Sequence, residues 1–174
     1  MATQEITSQL EELHGSRYEI KDGQPNITGW DIVTRSGKRA GVVDDLLFDP
    51  DLGKVRYIIA DLDKNDLDLD TDRKVLIPIG IAELYVKSKK RRQRLDPALH
   101  AYDPAEHGNI VYIPTISAQQ LDALPLYEPG RLSRHTEMAI RKTLEPVDRN
   151  GHGEDEFYRH PHFNEDSFYD RYKL

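Results

Sequence analysis

The stretch "GVVDDLLFDPDLGKVRYIIADLD", residues 41–63, decides the fold because it holds two strand-like runs joined by a short turn. Residues 41–49 and 54–63 are rich in Val, Ile, Leu and aromatic side chains, which favour strands. The link "PDLGK", residues 50–54, carries the Pro, Asp and Gly of a tight turn and is too short for a parallel crossover. The stretch therefore predicts an antiparallel β-hairpin.

Similar runs lie on both sides of this hairpin. "WDIVT", residues 30–34, leads into it through the short link "RSGK", residues 35–38, so the first three strands predict an antiparallel meander. "KVLIPIGIAEL", residues 74–84, and "NIVYIPTI", residues 109–116, predict a fourth and a fifth strand. Because Pro78 cannot donate a ladder hydrogen bond, we expect it at a sheet edge or a bulge.

Three segments of the chain predict helices. Apolar residues at helical spacing predict an N-terminal helical segment within residues 1–16. Ser117 and Gln120 have the spacing of a capping box, which starts a short helix. Residues 133–144 predict a second helix, and its apolar stripe would be formed by Met138, Ile140, Arg141 and Leu144.

Composition excludes several classes of protein. The 174 residues suit one domain with tails, and the net charge of −7 disfavours nonspecific nucleic-acid binding by the whole molecule. The absence of cysteine excludes disulfides, thiolate catalysis and cysteine-ligated metals. No basic start precedes an apolar run, and no segment approaches the roughly 20 apolar residues of a membrane span. We expect a cytoplasmic protein, with a peripheral position at the inner membrane as an alternative.

The C-terminal stretch differs from the rest in charge. Residues 146–174 are rich in acids, with "HGEDEFYRHPHFNEDSFYDRY" at residues 152–172. This composition predicts a mobile acidic and aromatic tail, or a short segment that folds on a partner. We expect three parts: an N-terminal segment (1–16), a main domain (17–145) with an insertion near 87–108, and the tail.

The loop "DLDKNDLDLDTDRK", residues 61–74, begins like a calcium loop. The weak candidate metal ligands are Asp61, Asp63, Asn65 and Asp72. Asp66 stands where the sharp turn of an EF-hand needs glycine, and predicted strands flank the loop instead of helices. The pattern favours a solvated loop between strands and predicts no metal site.

The run "KSKKRRQR", residues 87–94, is a candidate patch for an anionic partner. Its cations are Lys87, Lys89, Lys90, Arg91, Arg92 and Arg94. Such a run attracts anionic lipid headgroups or phosphates, or balances the acidic loop. It lacks aromatic residues on which bases could stack, so nucleic acid is the less favoured partner.

Catalytic motifs are missing from the sequence. There is no G-x-S-x-G, no H-E-x-x-H, no P-loop and no dinucleotide fingerprint. His100 and His107 flank two acids in the polar insertion, where a surface position is expected. The sequence predicts no enzyme activity, no catalytic residue and no cofactor.

Three stretches together resemble the PRC-barrel family, and within it the cytoplasmic domain of the photosynthetic reaction centre H subunit. They are "YEIKDGQPNITGWDIVTRSGKRAGVVDDLLFDPDLGKVRYIIADLD", "RKVLIPIGIAEL" and "ISAQQLDALPLYEPGRLSRHTEMAIRKTL". The resemblance implies a mainly β fold: a small antiparallel β-barrel with short flanking helices and a polar C-terminal tail. It also implies a binding or assembly module.

Three hypotheses on function follow from the resemblance. The first is a self-associating module, expected as a homodimer through its edge strands, which docks a protein partner. The second is an H-subunit-like adaptor at an anionic membrane surface, although Ile59 stands where H subunits tend to carry an acid for proton delivery. The third is an accessory in ribosome maturation, because PRC-barrels also occur in such a protein.

Overall fold

The structure is a computed structural model that describes residues 9–14, 16–20, 24–85, 108–144, 158, 161–164 and 168. The strands are β1 (Glu11–Glu12), β2 (Asp31–Thr34), β3 (Arg39–Asp49), β4 (Lys54–Asp61), β5 (Lys74–Pro78), β6 (Glu83–Tyr85) and β7 (Ile110–Ile113). The helices are α1 (Ala118–Ala123) and α2 (Arg134–Leu144), and Ile79–Ile81 and Pro161–Phe163 form 3₁₀ turns. The prediction of a mainly β fold is confirmed.

One sheet joins all seven of these strands. Its order is β5-β4-β3-β2-β7-β6, with β1 paired to the far end of β3. β2, β3 and β4 are antiparallel neighbours, which confirms the predicted meander. β7 lies parallel to β2, with Ile110 opposite Asp31. The prediction of an antiparallel sheet is wrong for this pair. β2 and β7 are far apart in the sequence, so no short turn forces them to run in opposite directions.

The predicted barrel is not closed by the described strands. β5 and β6 are the two ends of the sheet and do not pair with each other. The sequence predicts one strand over residues 74–84, but the 3₁₀ turn at Ile79–Ile81 divides it into two. Pro78 is the last residue of the edge strand β5, as expected for a residue without a backbone N–H.

Two bulges bend β3 against β4. The register shifts between Val43 and Asp45, and again between Leu47 and Phe48, where Arg56 of β4 is left without a partner in the ladder. Bulges re-aim the side chains beside them. Near the first bulge, Gly41 approaches the carbonyl oxygen of Asp61 so closely that a Cβ atom would lie 2.2 Å from it.

Helix α1 agrees with the sequence prediction, whereas helix α2 differs from it in its apolar stripe. Helix α1 has the predicted capping box, since Gln120 N donates to Ser117 Oγ at 3.1 Å and Ser117 N donates to Gln120 Oε1 at 2.9 Å. Helix α2 is present, but it buries Glu137 and Ile140 and leaves Met138 58% exposed. The predicted stripe is therefore wrong at Met138.

The N-terminal segment is not helical where the structure describes it. Glu11–Glu12 form strand β1 opposite Leu47 and Phe48, because β3 is long enough to offer free backbone groups beyond β2. The carboxylate of Asp45, which is 5% exposed, accepts the backbone N–H of His14 at 3.0 Å and fixes this strand. Residues 1–8 lie outside the described residues.

The tail contributes to the core at the residues that the structure describes. Phe163 is 4% exposed and Phe168 is fully buried, and both belong to the main apolar cluster. Residues 146–174 are predicted to be mobile or to fold on a partner, and most of them lie outside the described residues. The two phenylalanine rings are packed because the transfer of their apolar surface from water into the core is favourable.

Candidate functional site

The acidic loop between β4 and β5 is organised by one side chain. Asn65 Nδ2 donates to the carbonyl oxygens of Leu62 and Leu69 at 2.8 and 3.0 Å. Asn65 Oδ1 accepts the N–H groups of Leu67 and Leu69, both at 3.0 Å. Leu62 is buried and the other two leucines pack against the core. The loop is therefore a folded element with its aspartates outside.

This arrangement bears on the four weak metal candidates. The amide oxygen of Asn65 already accepts two hydrogen bonds, so neither of its lone pairs is free for a cation. Asp61 Oδ1 accepts the N–H of Asp63 at 3.0 Å, as in an ordinary turn. Among the residues that the structure describes, no three His, Cys, Asp or Glu side chains are placed to hold a metal ion together.

The aspartates instead border an open groove of about 360 Å³. Asp61, Asp63 and Asp72 lie on one side of this acidic groove, and Leu126, Tyr127 and Glu128 lie on the other. Segment 125–128 is held there because Tyr127 N donates to the carbonyl oxygen of Lys74 on the edge strand β5, at 2.7 Å. Leu126 is 55% exposed and also borders a second groove, against α2.

Two ion pairs hold the cations next to the acidic groove. Lys74 Nζ donates to Asp44 Oδ2 at 3.0 Å, and this hydrogen bond raises the pKa of Lys74. Arg73 donates to Asp122 Oδ1 and to the carbonyl oxygens of Asp122 and Leu124, each at 3.0 Å. Arg73 thereby ties the loop to the end of α1. Both cations have partners within the chain, which leaves the aspartates to define the charge of the groove.

Tyr127 forms the link between the groove and the N-terminal strand. Its hydroxyl donates to Glu12 Oε1 at 2.7 Å. Burial and this carboxylate raise the pKa of Tyr127, so the phenol stays a neutral donor. Elements distant in the sequence therefore meet at one side chain.

A second polar site lies under the tail. We call it the tail-docking cluster, and it consists of Arg56, Tyr57, Arg134 and Glu137. Glu137, on α2, is 1% exposed, and its Oε1 accepts the hydroxyl of Tyr158. The Nη1 atom of Arg134 lies 3.6 Å from Glu137 Oε2, and the buried Tyr57 hydroxyl lies beside the same carboxylate.

The tail-docking cluster also contacts aromatic rings. The guanidinium carbons of Arg56 and Arg134 lie 4.6 and 4.9 Å from the centre of the Tyr158 ring. Phe163 makes edge-to-face contacts with Tyr158 at 5.0 Å and with Tyr57 at 5.2 Å. Arg56 and Tyr57 are consecutive in β4, and the bulge at Arg56 allows both side chains to reach the tail.

Burial dominates the electrostatics of this cluster. It raises the pKa of Glu137, although the Tyr158 hydrogen bond and the charge of Arg134 act in the opposite direction. It also raises the pKa of Tyr57, and the negative charge of Glu137 adds to this effect. Tyr57 is therefore a neutral phenol next to a carboxyl group that resists ionisation.

Several candidates from the sequence lie outside the described residues. These are the cationic run with Lys87, Lys89, Lys90, Arg91, Arg92 and Arg94, the histidines 100 and 107, and most of the tail. The tail-docking cluster was missed by the sequence analysis. In the sequence, this cluster is indicated only by Glu137, an acid that lies within the apolar stripe of a predicted helix.

A comparison with known families agrees with this fold. Residues 21–98 match the family model of the PRC-barrel domain. The matched range includes β2 to β6, whereas β7, both helices and the tail follow it. The comparison with curated proteins finds no match. Within the described residues, the structure contains no helix both long and apolar enough to cross a membrane.

Proposed function

We propose that the chain is a non-enzymatic binding and assembly module that docks a protein partner and self-associates. The PRC-barrel domain at residues 21–98 suggests a module of this kind. The observation that carries the proposal is the ridge at residues 125–128, where exposed Leu126 stands between two grooves. An exposed apolar side chain within a polar rim is typical of protein contact surfaces.

The charge of the acidic groove defines the partner further. The acidic side chains of Asp61, Asp63, Asp72 and Glu128 line the groove together with Leu126 and Tyr127. A protein surface with Lys or Arg around an apolar residue complements this groove, since opposite potentials favour encounter and register. A second copy of the chain offers opposite charge to this groove, because its residues 87–94 include six Lys and Arg side chains.

Substitution of Leu126 tests the docking proposal. We expect Leu126→Asp to weaken capture of the partner by the immobilised full chain, because the change removes the apolar contact and adds like charge to the acidic groove. Leu52→Asp is the matched control. Leu52 is 63% exposed in the turn between β3 and β4, whereas Asp61 of the acidic groove is at the other end of β4. Equal capture by both variants would contradict the proposal.

Light scattering tests the self-association. We expect a dimer mass for the full chain in the micromolar range and a shift towards monomer at high salt, because charge complementarity is screened. A single species of monomer mass across that range would remove self-association from the proposal and leave docking of another protein.

The cationic run supports a second candidate function, an H-subunit-like adaptor at an anionic membrane. Six cations in eight positions would gain about 1 kcal/mol each at such a surface. Vesicles with anionic lipid should then bind the chain at low salt, and charge reversal of residues 89–92 should abolish binding. Binding to RNA but not to vesicles would favour the ribosome-maturation hypothesis instead.

A further inference from the structure

The described part of the tail presents aromatic side chains at a regular spacing. Tyr158, Phe163 and Phe168 follow one another at intervals of five residues, and Phe163 is the last residue of the 3₁₀ turn Pro161–Phe163. All three pack against the core, with Phe163 and Phe168 buried. The tail therefore contacts the domain through a short aromatic segment.

The surface below this segment recognises a phenol by two features. The carboxylate of Glu137 accepts the hydroxyl of Tyr158, and Arg56 and Arg134 lie over the ring. A phenylalanine at the same position would keep the ring contacts and lose the hydrogen bond. A buried acceptor that loses its donor is left unsatisfied, which destabilises the bound state. The cluster is thus selective for tyrosine over phenylalanine.

The next aromatic residue occupies a separate position. Phe163 stands edge-to-face between Tyr158 and Tyr57, where Tyr57 is fixed in β4 with no exposed surface. Edge-to-face pairs add stabilisation beyond their buried area. A ligand therefore needs a tyrosine and, five residues later, a second aromatic side chain.

We propose that the tail-docking cluster is a peptide-recognition site for such a segment, and that the chain's own tail occupies it as a built-in ligand. The site holds an almost fully buried carboxyl side chain, Glu137, and two cations, Arg56 and Arg134, that contact the Tyr158 ring. The Nε atom of Arg56 makes no hydrogen bond within the described residues, and its guanidinium group lies over the Tyr158 ring. The site shares no residue with the ridge at residues 125–128 and goes beyond the docking function proposed there.

Covalent attachment raises the occupancy of this site. Thirteen residues, 145–157, connect α2 to Tyr158. A tether of that length reaches at most about 45 Å and gives an effective concentration on the order of millimolar. A segment with micromolar affinity would therefore remain bound in the intact chain, and its intrinsic affinity is measurable only after the tether is cut.

The test uses the full chain, folded with a protease recognition sequence inserted within residues 145–157 and cut afterwards. Release of the labelled tail fragment on dilution gives its dissociation constant. Three tails are compared: the natural one, Tyr158→Phe, and Tyr172→Phe as the control with the same chemical change. Circular dichroism before the cut checks that each chain is folded.

We expect the natural and Tyr172→Phe tails to remain bound at micromolar concentration, and the Tyr158→Phe tail to bind at least about tenfold more weakly, since it leaves the buried acceptor of Glu137 without this donor. Immediate release of the natural tail, or equal affinity of all three, would overturn the proposal. If the Tyr158→Phe chain fails to fold, synthetic peptides of residues 152–174 with each substitution compete against the tail of the cut natural chain. The same ranking is required there.

The result is independent of the Leu126 experiment. Loss of partner capture by the Leu126→Asp variant concerns the ridge at residues 125–128, whereas tail release concerns β4 and α2. Retention of the tail with unchanged capture would support the peptide site and contradict the docking ridge. The reverse pattern would support the ridge alone.

Discussion

Gly41 shows how a single residue sets the distance between two strands. Its missing side chain allows the carbonyl oxygen of Asp61 to lie where a Cβ atom would be, at 2.2 Å. This contact involves backbone, which cannot rotate away like a flexible side chain. Close approach of two backbones in a bulged sheet is a usual reason for a glycine within a strand.

We expect Gly41→Ala to lower the free energy of unfolding by about 2–3 kcal/mol, because the added methyl group forces β3 and β4 apart. Urea unfolding measures the loss. Gly53→Ala is the control: its φ of +63° is strained for alanine, but no atom lies within 4 Å of the added Cβ, so we expect about 1 kcal/mol. Equal losses in the two variants would show that the Asp61 contact is unimportant.

Asn65 separates the structural and the metal interpretations of the acidic loop. Asn65→Asp replaces two donated hydrogen bonds by an oxygen that faces the carbonyl oxygens of Leu62 and Leu69. We expect a loss of about 1–3 kcal/mol in the free energy of unfolding. Asn26→Asp is the control, since Asn26 only accepts, from Thr28 N, and a carboxylate retains that bond.

Calcium provides the second arm of the Asn65 experiment. If the loop bound calcium, an added carboxylate would strengthen the site and calcium would restore the lost stability. We expect no change in Tm at millimolar calcium for either the natural chain or the variant. A rise in Tm confined to Asn65→Asp would instead support the metal interpretation.

At the scale of elements, the acidic loop and α1 are coupled by a side chain rather than by sequence proximity. Arg73 reaches two carbonyl oxygens at the end of α1 and the carboxylate of Asp122. Its side chain is 14% exposed and that of Asp122 is 62% exposed. Because the ion pair is partly solvated, the carbonyl contacts account for much of the coupling.

We expect Arg73→Lys to cost about 1 kcal/mol of unfolding free energy, because a single ammonium group cannot reproduce the planar fork. Arg131→Lys is the matched control: Arg131 pairs with Glu128 on the surface and is 79% exposed, so its change should be within about 0.5 kcal/mol. Urea unfolding compares the two variants. An equal and small loss would show that Arg73 does not connect the elements.

At the scale of the whole molecule, the buried carboxyl group of Glu137 connects pH to the docking of the tail. Its pKa lies above the ordinary value of 4.5 because burial disfavours the charge. The native state therefore binds the proton more tightly than the unfolded state does. The resulting stabilisation is complete below pH 4.5 and is lost as pH rises through the native pKa. The groups that face Glu137 are Tyr57, Tyr158, Arg56 and Arg134.

We expect the Tm of the natural chain to fall relative to that of the Glu137→Gln variant as pH rises from 4.5 through the native pKa of Glu137. The variant retains the size of the side chain and cannot ionise, so the difference isolates this one group. Thermal melting across the pH series measures it. A Tm of the natural chain that stays constant relative to that of the variant, or that rises relative to it with pH, would contradict the raised pKa.

Local patterns determined strands β2, β3, β4 and β7, the meander and the capped helix α1, but neither β1 nor the division of residues 74–84 into two strands. The hairpin at residues 41–63 was predictable because strand propensity and turn chemistry act within a few residues. Pro78 was predicted at an edge for the same kind of reason, since a missing N–H is a property of the residue itself. The PRC-barrel resemblance also came from these short stretches.

The tertiary structure alone decided the candidate sites. The parallel pairing of β7 with β2, the open edges at β5 and β6, and the two bulges depend on contacts between distant residues. The tail-docking cluster joins β4, α2 and the tail, and Tyr127 joins Glu12 and Lys74. Such contacts follow from the exclusion of water around the whole core, which no local periodicity encodes. The sequence therefore determined the elements of this protein, and only packing decided which of its charged and aromatic residues meet.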